Sequence, residues 1–262
     1  MPTASTARRA IAVIAAGGAL ALPASAMAAE QVTISPIKLT GTLGGPAALT
    51  LGLNVTNSLG GVPSPLAGVA TIELPQGGIY NAQGFTTCPL ATITAAIGTP
   101  PVCPADSRVA TGSATGQAVI GGTEITEPAV LDAYLVKRSP LTLEFWGNGT
   151  SPIAETLTFP ATFGPGSSPY GEQVSIQVPT ITSVPGGPDV SITEIEASIK
   201  DTRSVTTTKT VKVGGRSEKK RVKTTVGLIT LPKRCPGTLH WGTNLMFQDG
   251  TSATATATSA CP

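Results

Sequence analysis

Leu141-Thr142-Leu143-Glu144-Phe145 alternates apolar and polar residues with a period of two. That period marks a β-strand with one face in a core and the other toward solvent, the usual state of an antiparallel sheet. Similar runs, bounded by turn residues, extend to both ends of the chain. They fall at 31–39, 48–55, 69–74, 109–120, 130–137 and 154–159. They continue at 173–178, 190–200, 205–213, 222–231, 243–247 and 252–258. Within 190–199 (VSITEIEASI) the parity changes. Val190 and Ile192 share one face, whereas Ile195, Ala197 and Ile199 share the other. One extra residue at Thr193-Glu194 produces such a switch, so a bulge is expected there.

The composition agrees with strands. Charged residues make up only 12% of the chain, too few to solvate long amphipathic helices. Gly44-Gly45-Pro46, Gly60-Gly61, Gly77-Gly78, Gly164-Pro165-Gly166 and Gly186-Gly187-Pro188 punctuate it at short intervals. Many short strands between such turns predict an all-β fold, an antiparallel β-sandwich of immunoglobulin-like or jelly-roll-like kind. Only 89–97 (PLATITAAI) reads as a short helix. A single domain over 29–262 is expected, with two packed lobes meeting near 126–130 as the alternative.

Residues 205–231 read VTTTKTVKV, GGRSEKK, RVKTTVGLITL. Two β-branched runs around Gly214-Gly215 predict a long hairpin. Its outer half is too polar for burial on either face, so it should project from the body.

The N-terminus predicts a secretory leader over 1–28. Arg8-Arg9 precede an uncharged apolar run, 10–22 (AIAVIAAGGALAL), then Pro23 and small residues suited to cleavage after Ala26 or Ala28. Loss of Arg8 and Arg9 takes Lys plus Arg from 17 to 15, equal to the 15 acidic residues. Between Lys200 and Lys223 stand nine basic residues and two acidic ones, a local +7. The expected location is extracellular or cell-wall associated. Cys88, Cys103, Cys235 and Cys261 all follow the leader, where disulfides persist. Of three pairings, proximity favours Cys88–Cys103 with Cys235–Cys261. Metal spacings of the C-x2-C kind do not occur, so neither zinc nor another cofactor is expected.

The pattern argues against catalysis. His240 is the sole histidine, and no G-x-S-x-G elbow occurs. Gly112-Ser113-Ala114-Thr115-Gly116 has its serine one place early. Glu194 and Glu196 would share a strand face with Asp189 close by, and Glu124 and Glu127 form a second, looser pair; these are the arrangements to weigh for glycoside hydrolysis. Asp249-Gly250 reads as a hairpin turn rather than a calcium loop.

Binding offers more. Trp146 is expected to point outward if Phe145 is core, and with Trp241 it is the candidate for stacking on a sugar. Lys219, Lys220 and Arg221 form a basic cluster suited to an anionic wall polymer, a polysaccharide or another protein. Residues 200–223 hold no aromatic side chain for stacking on bases, so nucleic acid is not expected.

Three stretches carry a resemblance. They are Cys103-Pro104-Ala105-Asp106-Ser107-Arg108-Val109 leading to Gly112, then Leu231-Pro232-Lys233-Arg234-Cys235-Pro236, then Phe247-Gln248-Asp249-Gly250-Thr251 before the closing Cys261-Pro262. In that order, over about residues 85–262, they resemble a group of uncharacterised secreted proteins of high-GC actinobacteria. Ala110 stands where the group has glycine. The resemblance implies export and the two local disulfides. It carries over no functional residue, because the group has no established activity. The expectation is therefore a non-enzymatic binding, adhesive or structural component of the cell exterior.

Overall fold

The computed structural model describes residues 29–199, 202–213, 216–235 and 237–262. The predicted leader lies outside these. The strands are β1 (Glu30–Gly41), β2 (Pro46–Asn57), β3 (Val69–Pro75), β4 (Ile79–Tyr80), β5 (Arg108–Ile120), β6 (Thr123–Arg138) and β7 (Leu141–Gly149). They continue with β8 (Thr156–Pro165), β9 (Tyr170–Gln177), β10 (Ser191–Ile199), β11 (Thr202–Val213), β12 (Arg216–Gly227), β13 (Ile229–Thr230), β14 (Thr238–Met246) and β15 (Ser252–Ala260). One short α-helix, α1 (Leu90–Thr94), and a 3-10 turn at Ala105–Ser107 lie between β4 and β5.

Thirteen strands form one antiparallel sheet in the order β15-β14-β3-β9-β8-β7-β6-β5-β10-β2-β13-β4, with β1 on the other edge of β2. The sheet folds back on itself, as a sandwich does, bringing β1 alongside β15. Strand alternation explains why. Leu49 and Leu53 on β2, Leu131, Ala133 and Leu135 on β6, Leu143 on β7, Ala161 on β8, Val174 on β9, and Leu239, Trp241 and Leu245 on β14 all turn to one face. Folding the sheet removes that face from water, with roughly 1.5–3 kcal/mol gained for each large aliphatic side chain fully buried. The opposite face carries Thr and Ser, for example Ser252, Thr254, Thr256 and Thr258 along β15.

The register between β10 and β5 slips between Ile192 and Glu194, the expected bulge. The expected helix is present as α1, and both expected disulfides form, Cys88–Cys103 and Cys235–Cys261. Asp249-Gly250 turns between β14 and β15: Thr251 donates its amide and hydroxyl to Asp249 Oδ1, at 2.9 and 2.7 Å. Gly250 has φ +84°, a left-handed conformation that suits glycine.

Several boundaries differ from expectation, among them the run read as 222–231, which divides into β12 and β13. The alternative lobe junction at 126–130 falls inside β6, which runs unbroken through sixteen residues. The strand read as 154–159 instead runs from Thr156 to Pro165, through Pro160. Pro160 pairs with Glu144 of β7, while pairing with β9 starts only at Ala161. The proline therefore stands where one flank of the strand is unpaired and a missing N–H is tolerated.

Candidate functional site

Antiparallel pairing along the main sheet gives it two ends. At one end lie the loops 57–69, 120–123, 149–156, 177–191 and 246–252. At the other lies the hairpin β11–β12.

The first end gives onto an apolar cavity of about 150 Å³ between the inner faces. Leu53, Leu131, Phe145, Phe159, Ile176 and Leu245 form much of its wall, and Ile153, Ile181 and Val190 lie toward the loops. Small inward residues leave the space. On β5 Ala114 and Gly116 line it, and Ala114 pairs directly with Ala129 of β6 and Ile195 of β10. Gly147 of β7 and Ala197 of β10 line the same volume. A cavity of this size lined by apolar groups stays dry and accepts small apolar guests.

Glu127 and Glu155 lie at this lining; Glu194 borders it from β10, where it pairs with Thr115 on the outer face. Glu127, on the inner face of β6, is buried. Its Oε1 accepts the Ser151 amide at 3.0 Å and its Oε2 the Ile153 amide at 2.9 Å. The Gly149 amide donates to the Glu155 carbonyl at 2.9 Å. Glu127 thus fastens the 149–156 loop over the end of the cavity. Glu155 and Glu194 are exposed.

The sequence marks Glu127 only as half of a loose carboxylate pair with Glu124, and does not single out Ala114 or Ala129. The available signal was the small-residue alternation of Gly112-Ser113-Ala114-Thr115-Gly116, which gives a strand with an empty inner face.

The tryptophans require a correction. Trp146 does lie on the outer face of β7, opposite Asp132 and Thr158. It is nevertheless only 1% exposed, because the segment carrying α1 and the Cys88–Cys103 disulfide covers that face. Its indole Nε1 donates to the Ala96 carbonyl at 2.9 Å. Beneath the same cover, burial and then Asp132 push the Tyr134 hydroxyl up to about 12. Burial also holds the Glu144 carboxyl above its ordinary range. Trp241 is also 1% exposed, on the inner face of β14, with Nε1 donating to Ser259 Oγ at 3.0 Å. None of the ten aromatic side chains is exposed. The surface therefore offers no aromatic platform of the kind expected of Trp146 or Trp241.

Of the other candidates, Glu194 is exposed and Glu196 half-buried, on alternate positions of β10 opposite Thr115 and Ser113. His240 is exposed on β14 opposite Thr258. Among the described residues no cluster of His, Cys, Asp and Glu could hold a metal ion.

The hairpin forms as expected, β11 and β12 pairing only with each other as a separate two-stranded sheet. Its base is fixed to the body. The Arg203 guanidinium lies 5.0 Å from the centre of the Phe85 ring and its Nε 3.3 Å from Asp106. The strand separates the basic cluster: Lys219 and Arg221 take one face and Lys220 the other.

No family model, curated protein or solved structure matches the chain. Among the described residues no helix is long and apolar enough to cross a membrane.

Proposed function

We propose that this chain is an exported, non-enzymatic binding protein whose ligand seat is the apolar cavity of about 150 Å³ inside the folded sheet. The ligand class is a small hydrophobe or the alkyl part of a larger molecule. The observation that carries this reading is the lining. Small residues from four neighbouring strands hold open a volume whose other walls are Leu, Ile, Val and Phe. Natural cores are otherwise packed with few voids larger than a water molecule, so a space of this size argues for a guest. The two disulfides support an oxidising exterior location, as does the leader-like N-terminus. Adhesive and structural roles have no comparable feature on the molecule, and sugar binding lacks an exposed aromatic.

The test is titration of the oxidised protein with benzene and with short n-alkanes, followed by NMR of the methyl groups. Shifts confined to residues such as Leu53, Leu131 and Ile176, lost when Ala114 and Ala129 are both replaced by leucine, are the expected result. Uniform or absent shifts would remove the proposal.

A further inference from the structure

The hairpin β11–β12 is a second feature, independent of the cavity. Its register pairs Thr206 with Lys223, Thr208 with Arg221, Thr210 with Lys219 and Lys212 with Ser217. These pairs alternate with the rest, so they occupy one face of the ribbon. Thr206, Thr208, Thr210, Lys212, Lys219, Arg221 and Lys223 are all exposed. Lys219, Arg221 and Lys223 stand on every second residue of one strand, about 7 Å apart. A parallel row of threonine hydroxyls runs beside them, and Lys212 lies diagonal to Lys219. No acidic residue takes any position on this face.

A row of evenly spaced cations flanked by hydroxyl donors matches a linear chain of evenly spaced anions. The alternatives fit less well. The face has no aromatic residue for base stacking. It also lacks the aromatic or long aliphatic side chains that anchor a protein in a bilayer interface. The remaining charge agrees in sign: the loops 57–69, 120–123, 149–156, 177–191 and 246–252 contain Glu155, Asp189 and Asp249 but no lysine or arginine. A polyanion is therefore repelled from the cavity end and drawn to the hairpin.

We infer that this hairpin face binds a linear polyanion carrying closely spaced phosphate groups, along the Lys219-Arg221-Lys223 row. Threonine hydroxyls donate to the same phosphate oxygens as the cations. Binding by such contacts weakens steeply as salt rises.

Long-chain inorganic polyphosphate is the probe, measured against the oxidised protein by isothermal titration over a series of salt concentrations. Lys219→Gln, Arg221→Gln and Lys223→Gln should each weaken binding about fivefold. Lys220→Gln removes the same charge from the adjacent residue but from the other face, and should leave the affinity near that of the parent. An equal loss on Lys220→Gln would overturn the proposal, because net charge rather than the face would then govern binding. So would absence of polyphosphate binding, or vesicles of phosphatidylglycerol binding more tightly than the polymer. Circular dichroism of each variant keeps folding apart from binding.

Discussion

Ala114→Leu turns the cavity into a measurement. The substitution adds three carbons at a position that lines the empty volume and pairs with Ala129 and Ile195. Burying three methyl or methylene groups is worth about 2.4 kcal/mol at about 0.8 each. Fixing a leucine side chain costs roughly 0.5–1 kcal/mol of rotamer freedom. The net is about 1.5 kcal/mol in favour of the folded state, which raises Tm by roughly 3–6 °C in a domain of this size. In a fully packed core the same change strains its neighbours and costs about 1–3 kcal/mol. The sign of the shift in differential scanning calorimetry therefore decides the matter. A rise, with loss of benzene binding, is expected. A fall in Tm with binding intact would refute both the cavity and its use. Leu131→Ala, at a buried wall position, should cost about 2–5 kcal/mol and admit a larger guest.

Three further outcomes test the supports of this arrangement. Replacing Cys88 and Cys103 by alanine opens a loop with a sequence separation of 15 residues and should cost about 3 kcal/mol. The Trp146 emission should move to longer wavelength as its cover loosens. Glu127→Ala leaves the Ser151 and Ile153 amides without their acceptor. A cost of about 2 kcal/mol is expected, with faster hydrogen exchange at those two amides, while the amides of β6 stay protected. Glu144→Gln addresses pH. Burial raises the folded-state pKa of Glu144, so the folded protein holds this proton more tightly and loses stability as pH rises past the ordinary carboxylate range. The glutamine variant should melt higher than the parent at neutral pH, and the difference should close toward about pH 4. An advantage independent of pH would show that the charge at Glu144 is not what destabilises.

What was legible in the sequence was local. The parity change at Thr193-Glu194, the Asp249-Gly250 turn and the two β-branched runs around Gly214-Gly215 each declare a structure within a few residues. The inner and outer faces of Leu141–Phe145 were equally plain, because alternation alone assigns them. What failed to show depends on which segments meet. Trp146 was assigned to the outer face correctly, but the segment that covers it is about fifty residues away in the chain. The run Lys219-Lys220-Arg221 looks like one patch on paper, and a strand sends its middle member the other way. The cavity exists only because the small inner positions of β5, β6, β7 and β10 come together, and no single one of those strands reveals it.

The attachment of the hairpin has a consequence for how such a molecule can diversify. The chain leaves the main sheet at Ile199, opposite Leu49, and rejoins it at Ile229, opposite Ala47, so both junctions lie on one edge of β2 and two residues apart. The outer part of the hairpin between them, past Arg203 at its base and short of Leu228 in the core, is an insert. Its sequence can lengthen, change charge or be exchanged for another peptide without altering a single pairing of the sandwich. The same socket would carry a grafted epitope or affinity loop, provided Arg203 and the buried Leu228 keep their contacts with the body.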